Sequence, residues 1–211
     1  PWEADVDNGT EQTPRFARVN AEKEILVNGM VAIAQWQYYL ATGDLAWLRS
    51  SGFPVIEATA EFWLSRATLN PGRRVHEILQ VTSVDEKYTA VDNDAFTNAI
   101  AKKNLEIAVA ASRVLGVPPN PLWVQVAGSL LIPFNAVENR HLMFDESVPH
   151  DRATWMAGAL TFLCHPSVDL AMSEEVLRNN YAYALRKIAE ASTESNQMMT
   201  VILGTHAAML G

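Results

Sequence analysis

The chain has a single cysteine, Cys164, in 211 residues. A lone thiol excludes an internal disulfide and any cysteine cluster for a metal. Basic runs are absent and the formal net charge is −8, which argues against nucleic acid or an anionic membrane surface as partner. No run of about eighteen apolar residues occurs, so the sequence offers no membrane-spanning helix. Five histidines, His76, His141, His150, His165 and His206, show none of the spacings that metal ligation needs. They read as cap, loop and surface residues, and no metal or cofactor is expected. His165 follows Cys164, but adjacent residues rarely face each other on one element, so Cys164 reads as a packing thiol rather than a nucleophile. There is no fixed-period repeat, no low-complexity tract and no composition shift to mark a second domain.

What is present is apolar and helical. Hydrophobic residues make up 49% of the chain, enough for one sizeable core, so residues 1–211 are expected to form a single helical domain. Residues 1–20 read as loop. Apolar periodicity predicts a helix from about Ala21 to Ala41, with Leu26, Met30, Ile33 and Ala34 on one face and Val27, Val31 and Tyr38 on the next, hence burial on more than one side. Gly29 inside it suggests a close approach. A short helix over Leu45–Arg49 is expected to break at Ser51-Gly52-Phe53-Pro54. The next runs from Val55 to Thr68, with Ile56, Ala60 and Trp63 facing in. Asn70-Pro71-Gly72 is a turn, and Val75–Val81 is extended.

The pattern continues with a strong helix over Ala95–Leu115, stopped by Gly116. In it Ile100, Ile107, Ala111 and Val114 share a face. Further helices are expected over Leu122–Ile132, Asp151–Leu163, Glu174–Ala191 with Ser173 as cap, and Ser195–Leu210; His141–Phe144 reads as extended. The class is all-α, built from consecutive antiparallel helix hairpins.

The chemically pointed stretch is Ser83-Val84-Asp85-Glu86-Lys87-Tyr88, running on to Val91-Asp92-Asn93-Asp94. It sets four carboxylates within ten residues at the mouth of an apolar helix. Residue pattern alone leaves two readings open. Asp92 or Asp94 caps the helix beginning near Ala95 while Asp85 and Glu86 make a solvated turn. Alternatively, crowding raises the pKa of one carboxyl group, as a general acid requires.

Asp85-Glu86, then Val91-Asp92-Asn93, an aromatic Phe96 and Thr97-Asn98 resemble the catalytic-acid segment of glycoside hydrolase family 65. That family holds maltose, trehalose and kojibiose phosphorylases, acid trehalases and related glucosidases. Other pieces match in order: Pro1-Trp2-Glu3, Asn28-Gly29 through Gln37-Tyr38-Tyr39 to Ala41-Thr42-Gly43-Asp44, Ala60-Glu61-Phe62-Trp63 with Ser65-Arg66, and Ala101 to Glu106. The resemblance implies an (α/α)6 barrel with its active site at one end. Since the helices counted here cannot close such a ring, the chain is expected to be part of one, cut from a longer protein at both ends, packed alone or as a homo-oligomer that covers exposed faces.

The resemblance also implies roles. Glu86 becomes the general acid. Trp2, Glu3, Asp85 and Gln197 become binders of a small disaccharide or oligosaccharide substrate. The implied reaction is inverting cleavage of an α-linked glucoside of the trehalose or kojibiose kind, by hydrolysis; phosphorolysis within the same family, or a non-catalytic sugar- or protein-binding module, stands as the alternative. The chain also departs from the family. Ser83-Val84 stands where Gly-Pro is common, and Lys87-Tyr88 where Tyr-His is. Lys87 beside Glu86 favours its ionised form, against the needs of an acid. Asn196 replaces the family's lysine beside Gln197. The family's base or phosphate loop would lie past Gly211. Glu138, Asp145 and Glu146 read as solvated loop carboxylates.

Overall fold

A computed structural model describes residues 23–84, 88–145, 168, 170–191 and 197–211. Within α6 and α7, defined below, the side chains of 188, 190–191 and 197–200 lie outside that description. The elements are α1 (Val27–Thr42), a one-turn α2 (Leu45–Trp47), a π turn (Leu48–Gly52), α3 (Phe53–Arg66), β1 (Thr68–Asn70), β2 (Val75–Glu77), α4 (Ala95–Leu115), α5 (Pro121–Ser129), β3 (Phe134–Asn135), β4 (Arg140–His141), α6 (Glu174–Ala191) and α7 (Gln197–Leu210). The described chain is mostly helical, in agreement with the all-α expectation.

The axis is α4. Its first seven residues, Ala95 to Ala101, are all buried, as are Asn104, Leu105, Ile107, Ala108, Val109, Ala111, Ser112 and Leu115. A helix buried on this many sides must be enclosed, and α1, α3 and α5 all pack on it. Its ends follow the sequence: Asp94 caps the start, and Gly116 at φ 69° takes the left-handed turn that closes it. Arg49 Nη2 donates to the Leu115 carbonyl at 3.3 Å, satisfying one of the last acceptors.

On α3 the inward face is Ile56, Ala60 and Trp63, each fully buried. Trp63 Nε1 donates to Asn104 Oδ1 at 3.0 Å, so the largest core side chain leaves no donor unpaired. Trp123 Nε1 of α5 and Nδ2 of Asn120, which caps it, both donate to Glu61 Oε1 at 2.9 Å. The predicted close approach at Gly29 is present. A Cβ there would lie 2.2 Å from Ile100 Cγ2 and 3.0 Å from the Ile100 carbonyl oxygen. Only glycine allows α1 this near to α4.

Several boundaries differ from the sequence pattern. Helix α1 starts at Val27, after a turn at residues 25–26 whose Ile25 carbonyl accepts from Asn28 Nδ2 at 3.0 Å. Nor is it buried on two sides. Gly29, Ala32 and Ile33 are buried, while Val27, Met30, Val31 and Tyr38 are exposed. The chain does not break at Ser51–Pro54. It runs through the π turn into α3, where Pro54 sits in the first helical turn and its missing N–H costs nothing. Thr68 leaves the helix to pair with Glu77 in an antiparallel hairpin that turns at Asn70-Pro71-Gly72. The helix expected over Leu122–Ile132 stops at Ser129, because Leu131 N–H bonds the His76 carbonyl at 2.9 Å. Val114 is exposed, one position off the buried stripe of α4.

The second region is α6 and α7 with the hairpin β3–β4. Ser173 Oγ accepts from Val176 N at 3.3 Å, as the capping signal predicts. His76, His141 and His206 are buried, which corrects their reading as cap, loop and surface residues. Each has a polar partner that sequence spacing does not reveal: Ser129 Oγ lies 2.7 Å from His76 Nδ1, Asn180 Nδ2 3.1 Å from His141 Nδ1, and the Leu177 carbonyl 3.0 Å from His206 Nε2. The helix expected over Asp151–Leu163, with Cys164 and His165, lies outside the described residues. Among the described residues no helix is long and apolar enough to cross a membrane.

Candidate active site

The loop from Ile78 to Asp94 lies over the amino end of α4, and short-range chemistry fixes its shape. Val81 and Val91 exchange two backbone hydrogen bonds of 2.9 Å, and Ser83 N–H donates to the Tyr88 carbonyl at 2.9 Å. Gln80 donates to Asp92 Oδ1 from both its backbone N and its Nε2 at 3.0 Å. Gln80, Ala90 and Asn93 hold φ of 58°, 61° and 54°. Left-handed backbone at non-glycine residues costs about 1 kcal/mol or more each. Three such residues around one loop mean that the surrounding bonds impose its course.

Beneath it is a buried polar network. Asp94 accepts from Thr97 N at 2.8 Å through one oxygen and from Ser83 Oγ at 2.6 Å through the other. It thus caps α4 and ties the loop to it. Burial pushes the Asp94 carboxyl above its ordinary range, opposed by the Ser83 hydroxyl and the Thr97 amide. Asn93 Oδ1 accepts from Ile78 N at 3.2 Å, and Asn93 Nδ2 donates to Asp145 Oδ2 at 3.2 Å. Asp145 also takes Arg73 Nη1 at 2.5 Å, and Arg73 reaches Glu77 at 2.9 Å. The Asp145 hydrogen bond leads the interactions that hold the Arg73 guanidinium above its usual pKa, against partial desolvation. Asn98 Nδ2 donates to the Leu131 carbonyl at 2.7 Å, and Ala95 N to the Met143 carbonyl at 2.7 Å. Three separate chain segments are thus pinned to the start of one helix.

Such a frame suits a short loop whose tip must be held in one geometry. The tip is Asp85-Glu86-Lys87, and these residues lie outside the described ones, as do Trp2 and Glu3. Gln197 is the first residue of α7, with its side chain outside the description. What the structure brings together is the setting of the acidic pair: Ser83, Tyr88, Asp92, Asn93 and Asp94. Asp94 as cap was one of the two open readings and is borne out. The Ser83–Asp94 and Arg73–Asp145 ties were not anticipated. Asn93 before a capping aspartate was the usable signal, since Asn tolerates positive φ. Asp145, read as a solvated loop carboxylate, is paired instead, to a residue 72 positions away that no local pattern indicates. Glu138 is paired too, with Arg140. Among the described residues no group of three or more His, Cys, Asp or Glu side chains is placed to hold a metal ion.

The model of the glycosyl hydrolase family 65 central catalytic domain matches residues 1–158. The chain belongs to glycosyl hydrolase family 65. A kojibiose hydrolase of Mucilaginibacter mallensis is 34% identical over 209 residues, covering 96% of this chain and 29% of that relative. A kojibiose phosphorylase of Halothermothrix orenii is 37% identical over 120 residues, covering 52% of this chain and 15% of its own. A solved structure from the human microbiome, described as a candidate kojibiose phosphorylase, superimposes with a TM-score of 0.63 at 14% identity, covering 87% of this chain and 30% of that one. That likeness concerns the fold alone. The chain spans less than a third of the length of these family 65 relatives.

Proposed function

We propose that the protein is an inverting glycoside hydrolase acting on an α-linked glucoside, a disaccharide of the kojibiose or trehalose kind. Residues 1–211 would form one helical domain within an (α/α)6 barrel. Glu86 is the general acid: it gives its proton to the departing glycosidic oxygen. A second carboxylate, about 6.5–9.5 Å away across the sugar in inverting hydrolases, takes a proton from the attacking water. Trp2 stacks on a pyranose face, and Glu3, Asp85 and Gln197 hold sugar hydroxyls. The single observation that carries hydrolysis over phosphorolysis is coverage. The hydrolase relative matches 96% of the chain and the phosphorylase relative 52%.

The frame around residues 81–94 supports the acid role. The Ser83–Asp94 bond and the Val81–Val91 pair restrain the described residues on both flanks of the acidic pair. The test uses the complete protein with kojibiose and trehalose, with and without phosphate. Glucose release independent of phosphate is expected; strict phosphate dependence makes it a phosphorylase. Glu86→Gln should lower kcat by about 10²- to 10⁴-fold. A glucosyl donor whose leaving group needs no proton should recover most of that loss. Unchanged turnover in Glu86→Gln would remove the acid assignment.

A further inference from the structure

Away from the acidic loop, an open cleft of about 220 Å³ lies between the β3–β4 hairpin and α6, lined by Glu138, Arg140, Asn179, Tyr183 and Arg186 among others. Its chemistry differs from that of the rest of an acidic chain. Three cations converge on the Tyr183 ring: the Arg140 guanidinium carbon at 3.6 Å, Arg186 at 5.4 Å and Lys187 Nζ at 6.0 Å. Glu138 pairs with Arg140. Arg186 enters no ion pair among the described residues and lies near the ring.

Arg140 is built in. Its side chain is 10% exposed, it bonds Glu138, and its Nη1 donates to the His141 carbonyl at 3.0 Å. Beneath it, His141 N–H donates to Asn180 Oδ1 at 2.9 Å. Beside it, Asn179 Nδ2 donates to the Asn139 carbonyl at 3.1 Å, which fixes the hairpin against α6. The floor is therefore rigid, with the Arg140 charge partly balanced by Glu138, while the Arg186 charge has no acidic partner among the described residues. Like charges that converge on one cleft repel, and an anion between them relieves that repulsion. Guanidinium groups meet carboxylate and phosphate oxygens with paired N–H donors, so such an anion is the complementary ligand.

We propose that this cleft binds a small oxyanion, a carboxylate or a phosphate, with Arg186 contacting it and Arg140 supplying the fixed charge below. Nothing in the proposed glycosidase chemistry requires the site, so the two readings stand or fall separately. The test is thermal unfolding of the complete protein in rising inorganic phosphate and, separately, citrate, at an ionic strength held constant with sodium chloride. A saturable rise in Tm is expected with at least one of them. Arg186→Ala should weaken that anion at least about tenfold, and Arg186→Lys should keep part of the response, since a single ammonium retains the charge and loses the fork. Response to phosphate alone or to citrate alone names the kind of oxyanion. No rise beyond the chloride control overturns the proposal. So does an unaltered response in Arg186→Ala, because binding would then lie elsewhere.

Discussion

The two ends of the described chain solve the same packing problem differently. Around α4, helices meet through apolar shape. Gly29 lets α1 reach Ile100, and Ile56, Ala60 and Trp63 close against the far side. Around α6 the joints are polar. Asn180 holds β4 through both its atoms, His206 reaches the Leu177 carbonyl from α7, and Asn179 reaches Asn139. Apolar contacts do not titrate, whereas two of these polar joints do. The first region should therefore respond chiefly to volume, its buried Asp94 being favoured by acid rather than harmed by it, and the second chiefly to falling pH.

The largest effect should come from volume in the first region. Trp63→Ala removes a fully buried indole and takes from Asn104 Oδ1 its donor, a loss of about 3–5 kcal/mol by urea unfolding. A loss under about 1 kcal/mol would mean that the α3–α4 contact is looser than described.

Acidification should break the second region first. Burial lowers the His141 pKa from 6.5 to about 4, partly opposed by Asn180, and burial also lowers that of His206. Both folded values lie below the unfolded one, so the unfolded chain binds more protons under pH 6.5. The stability these neutral rings provide is complete above that pH and drains away as pH falls toward 4, by at most about 3 kcal/mol for His141. Hydrogen exchange at pH 7 and pH 4.5 should show α6 and α7 losing protection before α4. Equal loss in both regions would erase the contrast. The His206 Nδ1 has no partner among the described residues, so His206→Leu should shrink the acid-induced loss in α7.

Gly29→Ala should cost about 1–3 kcal/mol through the clash with Ile100, with no change in its pH dependence. The smallest effect is at the helix start. Asp94→Ala removes the cap of α4 and the partner of the Ser83 hydroxyl, for about 1–2 kcal/mol, while Asp94→Asn should keep most of the cap. If Asp94→Asn and Asp94→Ala lose the same stability, the carboxylate holds the loop by its charge rather than by its geometry.

Much of the helical plan was legible because it is local. Asp94 and Gly116 bracket α4 at the residues the pattern indicates, Ser173 caps α6, and Ile56, Ala60 and Trp63 face inward on a 3.6-residue period. The misses share another cause. Periodicity grouped Val27, Met30 and Val31 with buried residues, but only a neighbouring helix makes an apolar face buried, and α1 meets α4 along one stripe. The early end of α5 comes from partners distant in sequence, His76 and Leu131. At the candidate site, the acidic pair was visible as a cluster of like charges. The Arg73–Asp145 tie and the Ser83–Asp94 bond were not, since neither has a local signature.

By itself the sequence determined roughly where the described helices run, which of their faces are apolar, and membership of glycosyl hydrolase family 65. Those properties depend on residues within a turn or two of one another, or on the order of motifs along the chain. Which apolar face is covered, which histidines are buried, and which three segments grip the amino end of α4 were decided only in three dimensions. Each of those depends on desolvation and on partners tens of residues away, and neither acts until the chain has closed around α4.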